Sequence, residues 1–509
     1  MPRQPEQSRR EREPRLTVAY GATGTKVLDP ASCVTVDGVS ARSTIYSSTA
    51  LLISKSVDVE ATVARIREVA ETYGWSVELD PEPEHAVALR FGVRRVRLGV
   101  VAGRAAPAPD AWTVLQLLRA GGLDRAAGVS LEHVLVPDPV VGADPHNRSN
   151  PHNMPNPHNR SNADDGYDPL GTGGRQPVAY VGLPPYRRED GDLDGRERPV
   201  VAVLDTGCGP HPWLDFVQRD VRLDGHPIGW PAAAPDSEVD DDQVGPLDGV
   251  IDPLAGHGTF IAGLIHQACP DADILSWRIV PPEGPIAETD WLTALAQIAE
   301  LVHLYRLGDP RGRRIDVLSM SMGYYHETPA DRLFDGLLYE ILADLAANGT
   351  LVVCSAGNDA TARPMFPAAF APWSDGRGPV APRRGVLPIV SVGALNPNGT
   401  TDTIFSNTGP WVRAYEIGAG VVSTFPPTFE GGYQPSLETT YAGRKRTSLD
   451  PDDFTGGFGT WSGTSFAAPI LAGRFAQRLL ESAPGGDVRQ DVKRAWAVLQ
   501  ELTELRPVS

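Results

Sequence analysis

Three side chains in this sequence have the types that acyl transfer uses, and each sits among small neighbours. Asp205 stands in Val203-Leu204-Asp205-Thr206-Gly207, His257 in Gly256-His257-Gly258-Thr259, and Ser465 in Gly463-Thr464-Ser465-Phe466-Ala467-Ala468-Pro469. A serine hydroxyl is a poor nucleophile at neutral pH. It needs an imidazole to take its proton, and the imidazole needs a buried carboxylate to fix its tautomer. Glycine and alanine beside such groups let a substrate approach closely. Asn358 stands in a fourth word of this kind, Val353-Cys354-Ser355-Ala356-Gly357-Asn358-Asp359.

Each residue also has a plainer reading. Asp205 closes the apolar run Val200–Leu204, so it ends a buried strand. Sites in open α/β sheets gather at that edge, but an ordinary Asp-Thr-Gly turn looks the same. His257 opens an apolar helix. Ser465 falls at a helix N-terminus, where free N–H groups favour developing negative charge; a capping Ser or Thr would sit there too. Asn358 alone reads as a loop residue after a strand.

Together and in this order, the four words resemble the subtilisin-like serine protease family (subtilases, peptidase family S8) over about residues 199–485. The resemblance implies that Ser465 is the nucleophile, His257 its base and Asp205 the group that orients His257. It implies that Asn358 and the Ser465 backbone N–H hold the oxyanion. Ser321-Met322-Gly323 resembles the family strand that pairs with the peptide ahead of the scissile bond, Glu283–Ala287 the opposite wall, and Pro367-Ala368-Ala369 the floor of the specificity pocket. Three features depart from the pattern. Phe260 stands where the family often has a second histidine, His211-Pro212 follows Asp205 one residue early, and the separations of 52 and 208 residues are longer than in compact members. No cofactor or metal is implied. The acidic stretch Asp236–Asp252 could hold calcium, although a solvated loop is the simpler reading.

The elements that must position these residues follow from periodicity. From Pro199 onward, short apolar runs (200–204, 274–280, 316–322, 351–355, 387–394) alternate with helical patterns (290–305, 330–347, 464–481, 488–499). That alternation predicts an α/β fold, a mainly parallel sheet covered by helices on both faces. Ahead of it, strands at 44–53, 75–79, 85–91 continuing into or followed by 94–101, and 130–136, with helices at 57–73 and 111–120, predict a small α+β domain. Its order approximates the ferredoxin-like β-α-β-β-α-β, and subtilase propeptides share that order. The expected division is a disordered tail (1–15), a propeptide-like domain (16–142), a linker (143–198) and a subtilisin-like domain (199–509). The linker contains three six-residue copies beginning Pro-His-Asn at 145, 151 and 157, which cannot bury apolar surface.

At 509 residues the chain exceeds one compact core. Its net charge of −18 argues against nucleic acid or an anionic membrane as partner. The charged Met1–Arg15 carries no apolar signal segment, nothing spans a membrane, and four cysteines are few for this length. These features predict a cytoplasmic protein with reduced thiols, and the resemblance implies a peptide or protein substrate. The alternative is a peptide-binding or sensing protein on the same fold, whose N-terminal domain docks a partner.

Overall fold

The computed structural model describes residues 14, 16, 24–36, 40–122, 128–137, 174–231, 234–244, 247–282, 284–328, 336–375, 378–380, 384–482 and 486–507. The tail and the Pro-His-Asn repeats expected from the sequence lie almost wholly outside these residues.

The N-terminal unit is built from β1 (Ile45–Ser54), α1 (Val59–Glu71), β2 (Trp75–Leu79), β3 (Val93–Val100), α2 (Ala111–Ala120) and β4 (Val129–Pro137). The strands pair antiparallel in the order β4-β1-β3-β2, the ferredoxin-like arrangement of a β-α-β-β-α-β chain. Asp58 and Asp110 cap the two helices by accepting the backbone N–H groups of Ala61 and Thr113. Leu51 and Ile53 face those helices with Val63, Ile66, Trp112 and Leu115. Period-two alternation sends Leu52 to the opposite face, where it joins the core of the C-terminal unit with Leu135. One expected strand is absent. Segment 85–91 holds instead the single helical turn Glu84–Val87, and β3 begins at Val93. Pro81 and Pro83 interrupt the chain there, and Pro83 precedes the turn as its N-cap residue.

The C-terminal unit centres on six strands, β5 (Val200–Asp205), β6 (Asp273–Arg278), β8 (Val317–Met320), β10 (Leu351–Ser355), β11 (Ile389–Leu395) and β12 (Ala414–Ile417). All neighbours are parallel, in the order β6-β5-β8-β10-β11-β12. Alternate residues serve two cores. Ala202, Leu204, Leu318 and Met320 pack toward α4 (Glu288–Arg306) and α5 (Gly336–Ala347). Val201, Val203, Val317 and Val353 pack toward α3 (His257–Ala268), α6 (Thr464–Glu481) and α7 (Val488–Leu502). Burial on both faces explains why these strands read as unbroken apolar runs. The expected helix at 330–347 is described from Gly336.

Two short strands, β7 (Ile286–Ala287) and β9 (Met322–Gly323), leave the parallel sheet and pair antiparallel with β4. The N-terminal sheet thereby continues onto the C-terminal unit. Residues 174–198, expected to be linker, are packed as part of that unit. The buried Arg175 donates to the carbonyls of Ile251, Asp252 and Ala255, and Arg187 and Arg188 pair with Asp273 and Asp271. No helix among the described residues is long and apolar enough to cross a membrane.

Candidate active site

The C-terminal ends of three adjacent strands deliver three of the expected residues. β5 ends at Asp205, β8 leads into Ser321, and β10 leads into Asn358. The start of α3 brings His257, and the start of α6 brings Ser465. Asp205 Oδ1 lies 2.6 Å from His257 Nδ1 and also accepts the Thr206 N–H at 2.8 Å. Asp205, His257 and Ser465 are each fully buried. With Nδ1 held by the carboxylate, His257 presents Nε2 as its second nitrogen, which is buried without a hydrogen bond among the described residues. The edge of Trp461 and the ring of Phe466 pack against the imidazole at 5.6 and 5.3 Å between centroids.

Glycine is demanded on both sides of His257. Gly256 has φ +81°, in the left-handed region that glycine adopts without strain. A Cβ there would lie 2.6 Å from the Phe425 ring, and one on Gly258 would overlap the Gly207 carbonyl oxygen. Phe260, one of the departures from the family pattern, is wholly buried against Trp461 and Phe466.

The turn that carries Ser465 is stitched to the loop that carries Asn358. Asn358 Oδ1 accepts the Thr464 N–H at 2.9 Å, and Thr464 Oγ1 accepts the Gly357 N–H at 3.1 Å. Because its oxygen is engaged by α6, the Asn358 amide is oriented with its NH2 as the donor end. Ser321 Oγ donates to the Ser465 carbonyl at 3.0 Å. Met322 and Gly323 face Pro137 and Val136 of β4, while Ile286 and Ala287 face Leu135 and Val134 from the other side. The end of the N-terminal domain thus runs as a central strand between the two segments expected to grip peptide. Glu283 of the expected wall lies outside the described residues. Ala368–Phe370 forms a buried single turn, and the chain just ahead of it is joined to the end of β9 through paired hydrogen bonds of 2.9 Å between the Tyr324 and Phe366 backbones.

Two groups escaped sequence reasoning. The first is Glu238, inside the stretch expected to be solvated. It is 1% exposed, and it accepts the N–H groups of Gly258 and Thr259 at 3.0 and 3.2 Å and the hydroxyls of Thr206 and Thr259. Burial pushes its carboxyl up to about 7 despite the threonine bonds. Asp252, in the same stretch, is also buried and is pushed up to about 6. The second is His133 on β4. Its Nδ1 lies 2.8 Å from Glu288 and its Nε2 2.9 Å from Glu327, and all three side chains are at most 3% exposed. Two carboxylate partners require two N–H donors, hence an imidazolium. Burial opposes that charge, but Glu288 and Glu327 outweigh it and hold the imidazole well above its ordinary value. Glu327 is held low: burial opposes this, but His326 and His133 prevail. His133, His326 and Glu327 are close enough to hold a metal ion, yet both nitrogens of His133 already serve carboxylates. All four cysteines are free thiols. Cys208 is pushed up to about 12 by burial and is no nucleophile at neutral pH.

Residues 196–500, more than half of the chain, match the Subtilase family profile (Peptidase_S8). An "Intracellular serine protease" of Paenibacillus polymyxa is 25% identical over 291 residues, covering 54% of this chain and 65% of that protein. A "Major intracellular serine protease" of Bacillus subtilis (strain 168) is 28% identical over 185 residues, covering 33% and 47%. The chain therefore spans less than two thirds of the length of either relative. The crystal structure of fervidolysin from Fervidobacterium pennivorans, a keratinolytic enzyme related to subtilisin, aligns over 88% of this chain and 56% of that one, with 17% identity and a TM-score of 0.45. By the extent of the family match, the chain belongs to the subtilase family of serine peptidases.

Proposed function

We propose that this chain is a serine endopeptidase that cleaves peptide or protein substrates through an acyl-enzyme. The observation that carries the reading is the buried 2.6 Å contact between Asp205 and His257 at a strand edge shared with Ser321 and Asn358. In this reading Ser465 attacks the peptide carbonyl while His257 Nε2 takes its proton, later returning it to the leaving amine. Asp205 keeps Nδ1 protonated and stabilises the imidazolium. The Asn358 NH2 and the Ser465 N–H meet the oxyanion. Substrate enters as a strand between β7 and β9, gripped by main-chain hydrogen bonds that demand little of its sequence.

The same pairing supports control by the N-terminal domain. β4 already occupies the place of a substrate strand, with His133 clamped between Glu288 and Glu327. The domain in this reading holds the enzyme shut until residues 138–173 are cut or β4 withdraws. The free thiols and the names of two relatives support a location inside the cell.

Ser465→Ala tests the catalytic reading. It should abolish peptide hydrolysis and labelling by a fluorophosphonate while the fold persists; undiminished hydrolysis overturns the assignment. Incubation of the unsubstituted chain tests the regulatory reading. Activity that appears with cleavage between residues 138 and 173 supports it. A chain that is fully active while intact favours the alternative, a docking module.

A further inference from the structure

We infer that Glu238 is a positioning residue of this reaction, a buried carboxylate that clamps the strand end bearing Asp205 to the helix start bearing His257 and tunes the basicity of His257. The inference rests on the triad reading above and extends it by one residue.

The clamp is visible atom by atom. Glu238 Oε1 meets the Thr206 hydroxyl and the Gly258 N–H, and Oε2 meets the Thr259 hydroxyl and N–H. Thr206 directly follows Asp205, while Gly258 and Thr259 directly follow His257. The two N–H groups belong to the first turn of α3, where no helical carbonyl is available to them. Thr259 Oγ1 in turn accepts the Gly209 N–H at 2.7 Å, so the turn after β5 is held at a second point. One side chain therefore fixes both partners of the 2.6 Å contact.

Thr206 makes the clamp electrically active. Its oxygen lies 3.1 Å from Asp205 Oδ1 and also contacts Glu238, but it has one hydroxyl proton to give. Ionised Glu238 attracts that proton, leaving Asp205 with the His257 and Thr206 N–H groups. Neutral Glu238 donates its own proton to Thr206, whose hydroxyl then turns to Asp205. An added donor on Asp205 weakens its hold on an imidazolium, and loss of the nearby negative charge acts in the same direction. Protonation of Glu238 thus lowers the basicity of His257. With burial raising the Glu238 carboxyl to about 7, the exchange falls in the range where imidazole titrates. The other groups facing Glu238 are Cys208, which burial keeps as a neutral thiol, and Asp236, whose charge is met by Arg278 at 2.5 Å.

The test follows the proton between His257 Nδ1 and Asp205 as a far-downfield NMR resonance, titrated against pH in the full-length chain carrying Ser465→Ala to prevent self-digestion. Adding Glu238→Gln should lower the midpoint by about one pH unit, and Glu238→Asp, which keeps the charge, should restore it. A residue that only caps α3 would change melting temperature and leave the midpoint in place, and that result overturns the inference. Should the Gln variant fail to fold, the parent chain decides: coupling to Glu238 requires a two-step titration, and a strictly single step overturns the inference. If the parent chain shows no such resonance at all, the triad reading falls, and the inference with it.

Discussion

Ser321 Oγ donates a 3.0 Å hydrogen bond to the main-chain carbonyl of Ser465, 144 residues away. The acceptor is open to it because Pro469 lies four positions further along α6 and has no N–H to close the helical bond to residue 465. A proline inside a helix normally costs stability; here the carbonyl it releases ties Ser321 to Ser465, the nucleophile in the proposed reaction. Ser321→Ala removes one hydrogen bond of about 1 kcal/mol. It should lower kcat about fivefold, with little change in KM and no loss of fold. Kinetics on a fluorogenic peptide, normalised to titrated active sites, check this; an unaltered kcat would show that the tether does not position Ser465.

Asn358→Ala should reduce kcat by about 10²–10³, the usual consequence of losing one preorganised oxyanion donor. KM should barely move, since the donor meets charge that develops in the transition state. Equal losses in binding and turnover would instead point to collapse of the Thr464 contact.

The clamp on His133 makes docking of the N-terminal domain depend on pH, and the sign can be worked out. Docking raises the His133 pKa, so its contribution is complete below the ordinary imidazole value near 6.5 and is lost as pH rises through the docked value. Glu327 is lowered, so its contribution is complete above about 4.5 and is lost as pH falls through its docked value. The other facing groups are Glu288, His326 and Tyr324, the last stacked on His133 at 4.4 Å. Release of β4, followed by amide hydrogen exchange of residues 129–135 in the intact chain, should quicken toward alkaline pH. His133→Gln leaves two buried carboxylates without their cation, a loss of about 3–5 kcal/mol. It should make release fast and flatten its alkaline dependence; slow, wild-type-like exchange in that variant would count against the clamp.

Leu135 is fully buried in the C-terminal core while its backbone pairs with Ile286. Leu135→Ala should weaken docking by about 2–5 kcal/mol. If β4 imitates substrate, a peptide carrying Leu-Val-Pro in the order of residues 135–137 should also be cut faster than the same peptide with Asp in place of Leu. Equal rates would separate the docking surface from the substrate cleft.

Asp205, His257, Ser465 and Asn358 stand out as candidates in the sequence because each lies in a word of small residues, and the overlap of any Cβ on Gly258 shows why such a residue is needed there. The parallel sheet was legible because strands buried on both faces write continuous apolar runs. Glu238 was not, since a carboxylate near Asp236 and Asp240–Asp242 looks solvated until the fold carries it beneath α3. His133 was hidden for a similar reason. Its partners lie 155 and 194 residues away, and nothing in β4 itself announces a cation. The apolar run Ala86–Leu89 followed by Phe91 reads as strand, but Pro81 and Pro83 break the extended chain just ahead of it and the turn Glu84–Val87 forms instead.

β4 and the groove it fills belong to one polymer, joined through residues 138–173. An intramolecular occupant has an effective concentration set by its tether, in the millimolar range for short flexible connections. If that groove is the substrate cleft, added peptides or small inhibitors must outcompete that local excess, however well they fit. A single cut in the connection converts the same contact into a bimolecular one, so dilution alone then drives dissociation.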